Sequence, residues 1–314
     1  MLKLCIVIPC YNEEEVLPET ISRLKDIYHQ LETSGLISCE SKIIFVNDGS
    51  NDDTWEIIKS AKLDDPQMIG GVNLARNYGH QNALLAGMAA ASESSDAIIT
   101  IDADLQDDPS VIHEMINYFN EGCDIVYGVR KERNKDTFFK RTTALAFYKL
   151  MRVLGVDSVY NHADYRLMSR RAVEQLLHFR ERNLFLRGIV PLIGYKTAKV
   201  YYNRVERFAG ESKYPLSKMI NFAVDGITSF SIKPVRMVLF VGIVFLFVSS
   251  LILIYVLYSL FISHNSVSGW ASLMLSIWFV GGVLLISLGV VGEYIGKIYI
   301  EVKDRPRYNV DSII

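Results

Sequence analysis

The chain has 314 residues, half of them hydrophobic, with 33 Lys and Arg against 35 Asp and Glu. This length allows one large domain with an appendage or two domains, and the nearly balanced charge gives no support for a nucleic-acid partner. The four cysteines form no CxxC pair and have no His at metal-ligand spacing, so the pattern favours a reduced, cytosolic setting over a disulfide framework.

Short apolar runs rich in Val and Ile alternate with helical patterns in the first part of the chain. The predicted strands are Leu4–Pro9, Ile43–Val46, Met68–Leu74, Ala97–Ile101 and Ile125–Val129. Helical spacing covers Gln81–Ala91 and Pro109–Asn120, and Asp108 is the candidate N-cap of the second helix. The apolar run at the N-terminus is too short for a signal peptide. The alternation predicts an α/β domain with a mostly parallel sheet.

Polar clusters follow three of the predicted strands, at the edge where parallel sheets bind ligands. These clusters are Tyr11–Glu13, Asn47–Ser50 and Asp102–Asp104. Asp48 could accept hydrogen bonds from a base or a ribose, but Asn-Asp-Gly-Ser also makes turns, and for Asp48 alone the turn is the preferred interpretation. Asp102 and Asp104 are two residues apart on one loop. They are suited to share a divalent cation that leaves open sites for diphosphate oxygens and neutralises a leaving nucleoside diphosphate.

The middle of the chain carries two helical patterns. Thr137–Leu154 has basic residues at helical spacing, which we interpret mainly as a solvated helix face. Pro215–Phe230 is amphipathic and is either a helix along the membrane surface or a core helix of the soluble domain.

A long uncharged region follows, since no Lys, Arg, Asp or Glu occurs from Met237 to Gly292. Met237–Ile262 and Trp270–Gly292 are each long enough to span a membrane, and the short uncharged segment Ser263–Gly269 makes them a hairpin. Basic residues flank the pair at Lys233, Arg236, Lys297, Lys303, Arg305 and Arg307. The positive-inside rule therefore predicts that both ends lie in the cytoplasm.

Several ordered motifs resemble the inverting family-two glycosyltransferases of GT-A fold, in particular their polyprenyl-phosphate branch of dolichol-phosphate mannose synthases and bactoprenol glucosyltransferases. The motifs are Val7–Glu13, Val46–Ser50, Asn73–Gly79, Asp102–Asp107 and Gly292–Lys297. The resemblance covers nearly the whole chain. It implies a GT-A (Rossmann-like) catalytic domain at 1–205, interfacial amphipathic helices at 206–235, two transmembrane helices within 236–296 and a cytoplasmic tail at 297–314.

The resemblance also implies roles for individual residues. The nucleoside pocket would be lined by Pro9, Tyr11, Glu13, Asp48 and Asp102. Mg²⁺ or Mn²⁺ would be held with the diphosphate by Asp102, Asp104 and Gln106. Asp164 is the third candidate catalytic residue beside Asp102 and Asp104. It lies in His162–Leu167, where many relatives have Thr-Gly-Asp-Phe-Arg-Leu and this chain replaces Thr-Gly with His-Ala.

The acceptor that the resemblance implies, a polyprenyl phosphate, is a monoester whose second pKa is about 6, so it needs no strong base near neutral pH. Bringing a dianion beside a diphosphate needs cations instead. The candidates for the acceptor phosphate are Arg130, Arg133, Lys140, Arg141 and Arg166. A second polar loop with phosphate-binding character contains Arg207, Ser212 and Lys213.

The predicted activity is hexose transfer from UDP-glucose or UDP-N-acetylglucosamine to undecaprenyl phosphate, with inversion, at the plasma membrane. The product would be a lipid-linked sugar donor for cell-envelope glycosylation, and a homo-oligomer is compatible with the sequence. One alternative, a processive polysaccharide synthase, usually adds a Gln-x-x-Arg-Trp motif and more spans. A second, a non-catalytic membrane adaptor that retains the fold, is disfavoured because Asp102 and Asp104 are present.

Overall fold

The computed structural model describes residues 1–104, 106–131, 162–182, 184–203, 228, 231–258 and 269–314. The chain divides into two compact units. The first contains Met1–Tyr148, Asp157–Pro215 and Asp304–Ile314, and the second contains Lys149–Val156 and Leu216–Lys303.

Four parallel strands form the centre of the first unit, and helices connect them. The strands are β1 Leu4–Cys10, β2 Lys42–Asn47, β3 Ile69–Leu74 and β4 Ala97–Thr100. The connecting helices are α1 Leu17–Thr33, α2 Thr54–Asp64 and α3 His80–Ser92. β1 lies between β2 and β4, and all of these neighbours run parallel.

The remaining elements of the first unit extend the sheet on both sides. A short 3₁₀ turn at Pro109–Val111 precedes α4 Ile112–Asn120 and β5 Ile125–Arg130. They are followed by β6 His162–Ser169, α5 Arg170–His178, α6 Leu186–Leu192, β7 Thr197–Tyr202 and, near the chain end, β8 Val310–Ile313. The strand order is β7-β5-β6-β4-β1-β2-β3-β8, with β6 and β8 antiparallel to their neighbours.

The central strands are covered on both faces, which is why they are continuous apolar runs rather than alternating ones. On one face, the buried side chains of α1 and α4 join the inward residues of β1 and β2 in one core. On the other face, α3 lies so close that a Cβ at Gly87 would be 2.3 Å from Val7 Cγ1 and 2.7 Å from Val46 Cγ2. Glycine at this position therefore allows the helix to approach the sheet.

All five strands predicted from the sequence are confirmed, and no strand end differs from the prediction by more than one residue. Asp108 caps the turn before α4 as expected, since its Oδ1 accepts the Ser110 N–H at 2.9 Å. β6, β7 and β8 were not predicted. The last of these shows that part of the predicted tail, 297–314, belongs to the sheet of the first unit.

The described part of the second unit consists mainly of two helices, α7 Lys233–Tyr258 and α8 Trp270–Val302. Both are long and apolar enough to cross a membrane, and their large hydrophobic side chains are mostly exposed. The rings of Phe245 and Phe279 contact each other at 5.5 Å between centroids. α7 begins at Lys233, before the predicted start at Met237, whereas α8 begins at Trp270 as predicted and continues beyond Gly292 to Val302. Of the predicted amphipathic segment Pro215–Phe230, only Thr228 falls within the described residues.

Candidate active site

The loops after β1 and β2 are joined by hydrogen bonds at the carboxyl edge of the sheet. The Asn12 N–H donates to Ser50 Oγ at 3.0 Å, and Asn12 Oδ1 accepts the Asn51 N–H at 2.9 Å. The Glu13 N–H donates to Thr54 Oγ1 at 2.9 Å. Asn12 has a left-handed backbone with φ of 53°, which Asn tolerates better than most residues. These hydrogen bonds hold the loop Tyr11–Glu13, which we call the ledge, against the turn that follows β2.

Asp48 is buried and fixes a third loop beside this ledge. Its Oδ1 accepts the Tyr78 N–H at 2.7 Å and its Oδ2 accepts the Gly79 N–H at 2.9 Å. Burial raises the pKa of Asp48, and these two N–H donors partly oppose that rise. Gly49 has φ of 65°, and a Cβ there would lie 2.4 Å from the backbone of Arg76 and Asn77. The turn after β2 is therefore hydrogen-bonded to the loop that follows β3 and packs closely against it.

Among the residues predicted to line the nucleoside pocket, Pro9 is buried, Glu13 is partly buried and Tyr11 is exposed. Tyr11 and Glu13 belong to the ledge, and Asp48 belongs to the turn that is hydrogen-bonded to it. A direct contact of these residues with a nucleotide stays a prediction.

Asp102 and Asp104 follow β4 at the same edge of the sheet. Although 30% of the Asp102 side chain is exposed, its Oδ1 is enclosed and makes no hydrogen bond to the residues that the structure describes. His80 Nε2 lies 3.4 Å from this oxygen. Burial raises the pKa of Asp102 to about 6; Asp164, Asp107 and Asp104 add to the rise and His80 opposes it. Asp104 is partly exposed, and its Oδ1 accepts the Gln106 N–H at 3.2 Å.

A divalent cation fits this arrangement of carboxylates. An enclosed carboxylate oxygen without a hydrogen-bond partner has an unbalanced negative charge, and a raised pKa reflects the same imbalance. Together they indicate a site where a bound cation would balance that charge. In the described ranges, no three His, Cys, Asp or Glu side chains are grouped to hold a metal. A cation held by Asp102 and Asp104 would therefore need further oxygen ligands, which a bound diphosphate supplies.

Asp164, on β6, faces the same site with cations around it. Its Oδ1 accepts from Arg166 Nη2 at 2.6 Å, and its Oδ2 lies 3.2 Å from Arg187 Nη2 and 3.7 Å from His80 Nε2. Burial alone would raise the pKa of Asp164, but Arg187, Arg166 and His80 outweigh it and hold that pKa well below its usual value. Asp164 is therefore a carboxylate at any physiological pH and a poor proton acceptor.

Arg130, at the end of β5, lies against the loop that carries Asp102 and Asp104. Its Nη2 donates to Asp107 Oδ1 at 3.0 Å, and its Nε is 3.3 Å from the Tyr202 hydroxyl. That hydroxyl donates to Asp107 Oδ1 at 2.6 Å. The carboxylate that Arg130 pairs with is fully buried.

Of the other residues predicted to bind phosphate, only Arg166 lies within the described residues. Arg166 is buried beside Asp164. The rest lie outside the described residues, namely Arg133, Lys140, Arg141, Arg207, Ser212 and Lys213. Their roles stay predictions.

Two residues of the site were not predicted from the sequence. His80 is the first residue of α3 and directly follows the loop clamped by Asp48, so its position after a strand was an available signal. Arg187 is on α6, more than twenty residues after Asp164, and nothing in the local sequence connects it with the carboxylates.

The family to which the chain belongs follows from comparison with known proteins. Residues 5–177 match the model of Glycosyl transferase family 2. The uncharacterized glycosyltransferase YkoT of Bacillus subtilis is 53% identical over 98% of this chain and 91% of its own length.

Relatives with a named activity are similar over nearly their whole length as well. The prophage-derived bactoprenol glucosyl transferase of Shigella flexneri is 42% identical over 98% of this chain and 97% of its own length. The crystal structure of mannosyl-3-phosphoglycerate synthase from Rubrobacter xylanophilus superposes with a TM-score of 0.50 at 17% identity, covering 75% of this chain and 74% of that one. The chain therefore belongs to glycosyltransferase family 2, its first unit has the GT-A fold, and over nearly its whole length it is similar to the bactoprenol glucosyl transferases.

Proposed function

We propose that the protein transfers glucose from UDP-glucose to the phosphate of a polyprenyl lipid, with inversion at the anomeric carbon, at the cytoplasmic face of a membrane. The observation that carries the proposal is the carboxylate pair Asp102 and Asp104, with the enclosed Oδ1 of Asp102, at the ligand-binding edge of a family 2 sheet. Glucose is preferred over N-acetylglucosamine because relatives at 40–42% identity are named bactoprenol glucosyl transferases.

The donor diphosphate would bind where Asp102 and Asp104 are located. Mg²⁺ or Mn²⁺ held there, with Gln106 as a further candidate ligand, would act as a Lewis acid that neutralises charge on the leaving UDP. The ledge of Tyr11–Glu13 follows β1, the parallel neighbour of β4, so it lies at the same edge of the sheet as Asp102 and Asp104. It is hydrogen-bonded to Ser50 in the turn after β2. We assign it to the nucleoside.

The reaction forms a bond between a phosphate oxygen of the lipid and the anomeric carbon while the bond from that carbon to the UDP oxygen breaks. Attack from the face opposite UDP inverts the configuration. The acceptor is already mostly a dianion near neutral pH, so no residue has to remove a proton from it. The low pKa of Asp164 agrees with this, because a carboxylate held by Arg166 and Arg187 is suited to accept hydrogen bonds from sugar hydroxyls.

The acceptor phosphate needs cations close to the donor diphosphate. Arg130 and Arg166 are the described candidates, and both already neutralise buried carboxylates near the reaction centre. We assign Arg133, Lys140 and Arg141 to the same phosphate, and the segment containing Arg207, Ser212 and Lys213 to the diphosphate, on the basis of their charge.

Membrane attachment is assigned to α7 and α8. Their exposed apolar surfaces, the basic residues at their outer ends and the uncharged segment between them favour a hairpin with both ends in the cytoplasm. The course of the chain supports this. The first unit contains residues before α7 and the strand β8 after α8, which agrees with an even number of crossings.

The test is a transfer assay with the purified full chain, undecaprenyl phosphate and a panel of nucleotide sugars, read by mass spectrometry with and without Mn²⁺. We expect a glucosyl-phosphoryl lipid from UDP-glucose that depends on the cation, and an anomeric configuration opposite to that of the donor. A product only from UDP-N-acetylglucosamine would change the donor assignment. The absence of any lipid product would overturn the proposal.

A further inference from the structure

The strand β8, which follows the second apolar helix, is bonded to β3 of the catalytic sheet through backbone hydrogen bonds. The Gly71 N–H donates to the Ile314 carbonyl at 3.1 Å, and the Gly71 carbonyl accepts the Ile314 N–H at 2.9 Å. The Asn309 carbonyl accepts the Ala75 N–H at 3.0 Å. Between these points the register shifts. Asn73 lies opposite Ser312 and Leu74 lies opposite Val310, so Asp311 is the extra residue of a β-bulge. Bulges of this kind redirect a side chain.

A chain of side-chain hydrogen bonds begins at this bulge and ends in the loops assigned to the nucleoside. Asn73 Nδ2 donates to Asp311 Oδ2 at 3.1 Å, and Asn47 Nδ2 donates to Asn73 Oδ1 at 2.7 Å. Asn47 Oδ1 in turn accepts the Ser50 N–H at 3.2 Å. Asn47 is buried, and Asn47 and Asn73 are paired neighbours on β2 and β3.

The carboxylate of Asp311 gives this chain a fixed direction. An ionised carboxylate only accepts hydrogen bonds, whereas an amide has one accepting and one donating end. Asn73 must therefore turn its NH₂ to Asp311 and its oxygen to Asn47. Asn47 must then turn its own NH₂ to Asn73, which leaves its oxygen for the Ser50 N–H.

Ser50, the last residue of this hydrogen-bond series, is bonded to the ledge Tyr11–Glu13. Ser50 Oγ accepts the Asn12 N–H at 3.0 Å, and Asn12 is the residue with the left-handed backbone next to the exposed Tyr11. If the Asn47 amide were reversed, its NH₂ would face the Ser50 N–H, and two donors would then oppose each other. The orientation of Asn47 thus affects the shape of the loop at which the nucleoside is assigned to bind.

We propose that Asp311, carried by β8, is a positioning residue for the donor nucleotide that acts through Asn73 and Asn47 on the Asn47–Ser50 turn. The inference rests on the proposed function, because it needs the nucleoside to bind at that ledge. The simpler interpretation is that the solvent-exposed Asp311–Asn73 bond only helps to attach β8. The two interpretations differ in which variants change nucleotide binding.

The primary measurement is calorimetric titration of UDP, with MnCl₂ present, into the detergent-solubilised full chain and its variants. Asp311→Ala should weaken UDP binding roughly three- to ten-fold, as expected for the loss of about one hydrogen bond. Asp311→Asn should stay within about two-fold of the wild type, because the amide oxygen still accepts from Asn73. Ile313→Ala, at an exposed position of the same strand, is the matched control and should bind UDP like the wild type.

A second pair of variants tests the route. In an Asn73→Ala background, Asp311→Ala should have no additional effect on UDP affinity, since the intermediate residue is already lost. In transfer assays, Asp311→Ala should raise the KM for UDP-glucose and leave the KM for undecaprenyl phosphate unchanged. Thermal unfolding midpoints of all variants show whether β8 remains attached.

Any one of three results would overturn the role of Asp311 while leaving the proposed function intact. These are wild-type UDP affinity in Asp311→Ala, equal losses of UDP affinity in Asp311→Ala and Asp311→Asn, or an undiminished effect of Asp311→Ala in the Asn73→Ala background. Failure of the wild-type chain to bind UDP would overturn the proposed donor and this inference together. The wild-type titration therefore separates the two.

Discussion

Asp102 and Asp164 both lie within 3.7 Å of His80 Nε2, yet their pKa values move in opposite directions. Asp102 is enclosed next to other carboxylates, so its negative charge is unfavourable. Asp164 is enclosed next to Arg166 and Arg187, so its charge is already balanced. Environments that separate two carboxylates in this way usually give them different tasks. Here the first is suited to a metal ion and the second to fixed hydrogen bonding.

Replacing Asp104 with Asn should reduce transfer about a hundred-fold or more, because the variant loses one of the two carboxylates that we assign to the cation at the leaving diphosphate. The thermal unfolding midpoint should change little, since Asp104 is partly exposed. Glu93→Gln, an exposed carboxylate at the far end of α3, is the control and should keep wild-type turnover. Near-wild-type turnover of Asp104→Asn at saturating Mn²⁺ would contradict the metal assignment.

Replacing Arg187 with Ala removes the cation that lowers the pKa of Asp164 most. Because burial then counts for more, the pKa of Asp164 should rise, and a carboxylate needed for activity is lost as the pH falls through that higher value. We expect the acidic limb of the kcat/KM profile to move to higher pH, and turnover at neutral pH to fall roughly ten-fold or more. Arg187→Lys should restore part of both. An unchanged profile would show that Asp164 need not be ionised.

At the scale of elements, the sequence predicts the buried apolar strands well and the strands with polar or exposed residues poorly. β1 to β5 are buried apolar runs that need no other information. β6 contains Asp164 and Arg166, and β7 contains a Lys among partly exposed positions, so neither reads as an apolar run. β8 has only four residues at an edge and is defined by its pairing with β3 rather than by its composition.

The site shows the same division. Asp48, Asp102 and Asp104 were predictable because they follow buried strands. The meeting of His80 and Arg187 with Asp164 was not, because it depends on β6 lying antiparallel between β4 and β5. Such long-range placement leaves no periodic pattern in the sequence.

The contact of α3 with the sheet supports a prediction on stability. Gly87→Val should destabilise the first unit by about 1–3 kcal/mol, because its Cβ would overlap the side chains of Val7 and Val46. Chemical unfolding of the purified chain, followed by fluorescence, measures the change. Ala89→Val, at a partly exposed position of the same helix, is the control and should cost less. Equal stability of the two variants would mean that α3 moves away from the sheet without penalty.

At the scale of the whole molecule, the chain completes its catalytic sheet only after the two apolar helices have been made. β8 contributes backbone hydrogen bonds, a C-terminal residue packed against Gly71, and the Asp311 side chain. Folding of the first unit and placement of α7 and α8 are therefore linked by connectivity. A protein truncated before α7 would lack this strand, which is why each experiment above uses the full chain.

This arrangement gives a defined test of membrane topology. Of the four cysteines, Cys39 is exposed and the other three are buried; burial raises the pKa of Cys5 to about 12 and that of Cys10 as well. A buried thiol with a raised pKa reacts poorly, so replacing Cys39 alone should give a quiet background.

Cysteine is then introduced at Ser266, which lies outside the described residues in the segment between the helices, or at Asn309, an exposed residue whose backbone carbonyl alone bonds Ala75. If both ends of the hairpin are cytoplasmic, an impermeant thiol reagent should label Ser266→Cys in intact cells. It should label Asn309→Cys only after the membrane has been permeabilised. The reverse pattern would show that the orientation is inverted, and labelling of both in intact cells would show that the two ends and the connecting segment are not separated by a membrane.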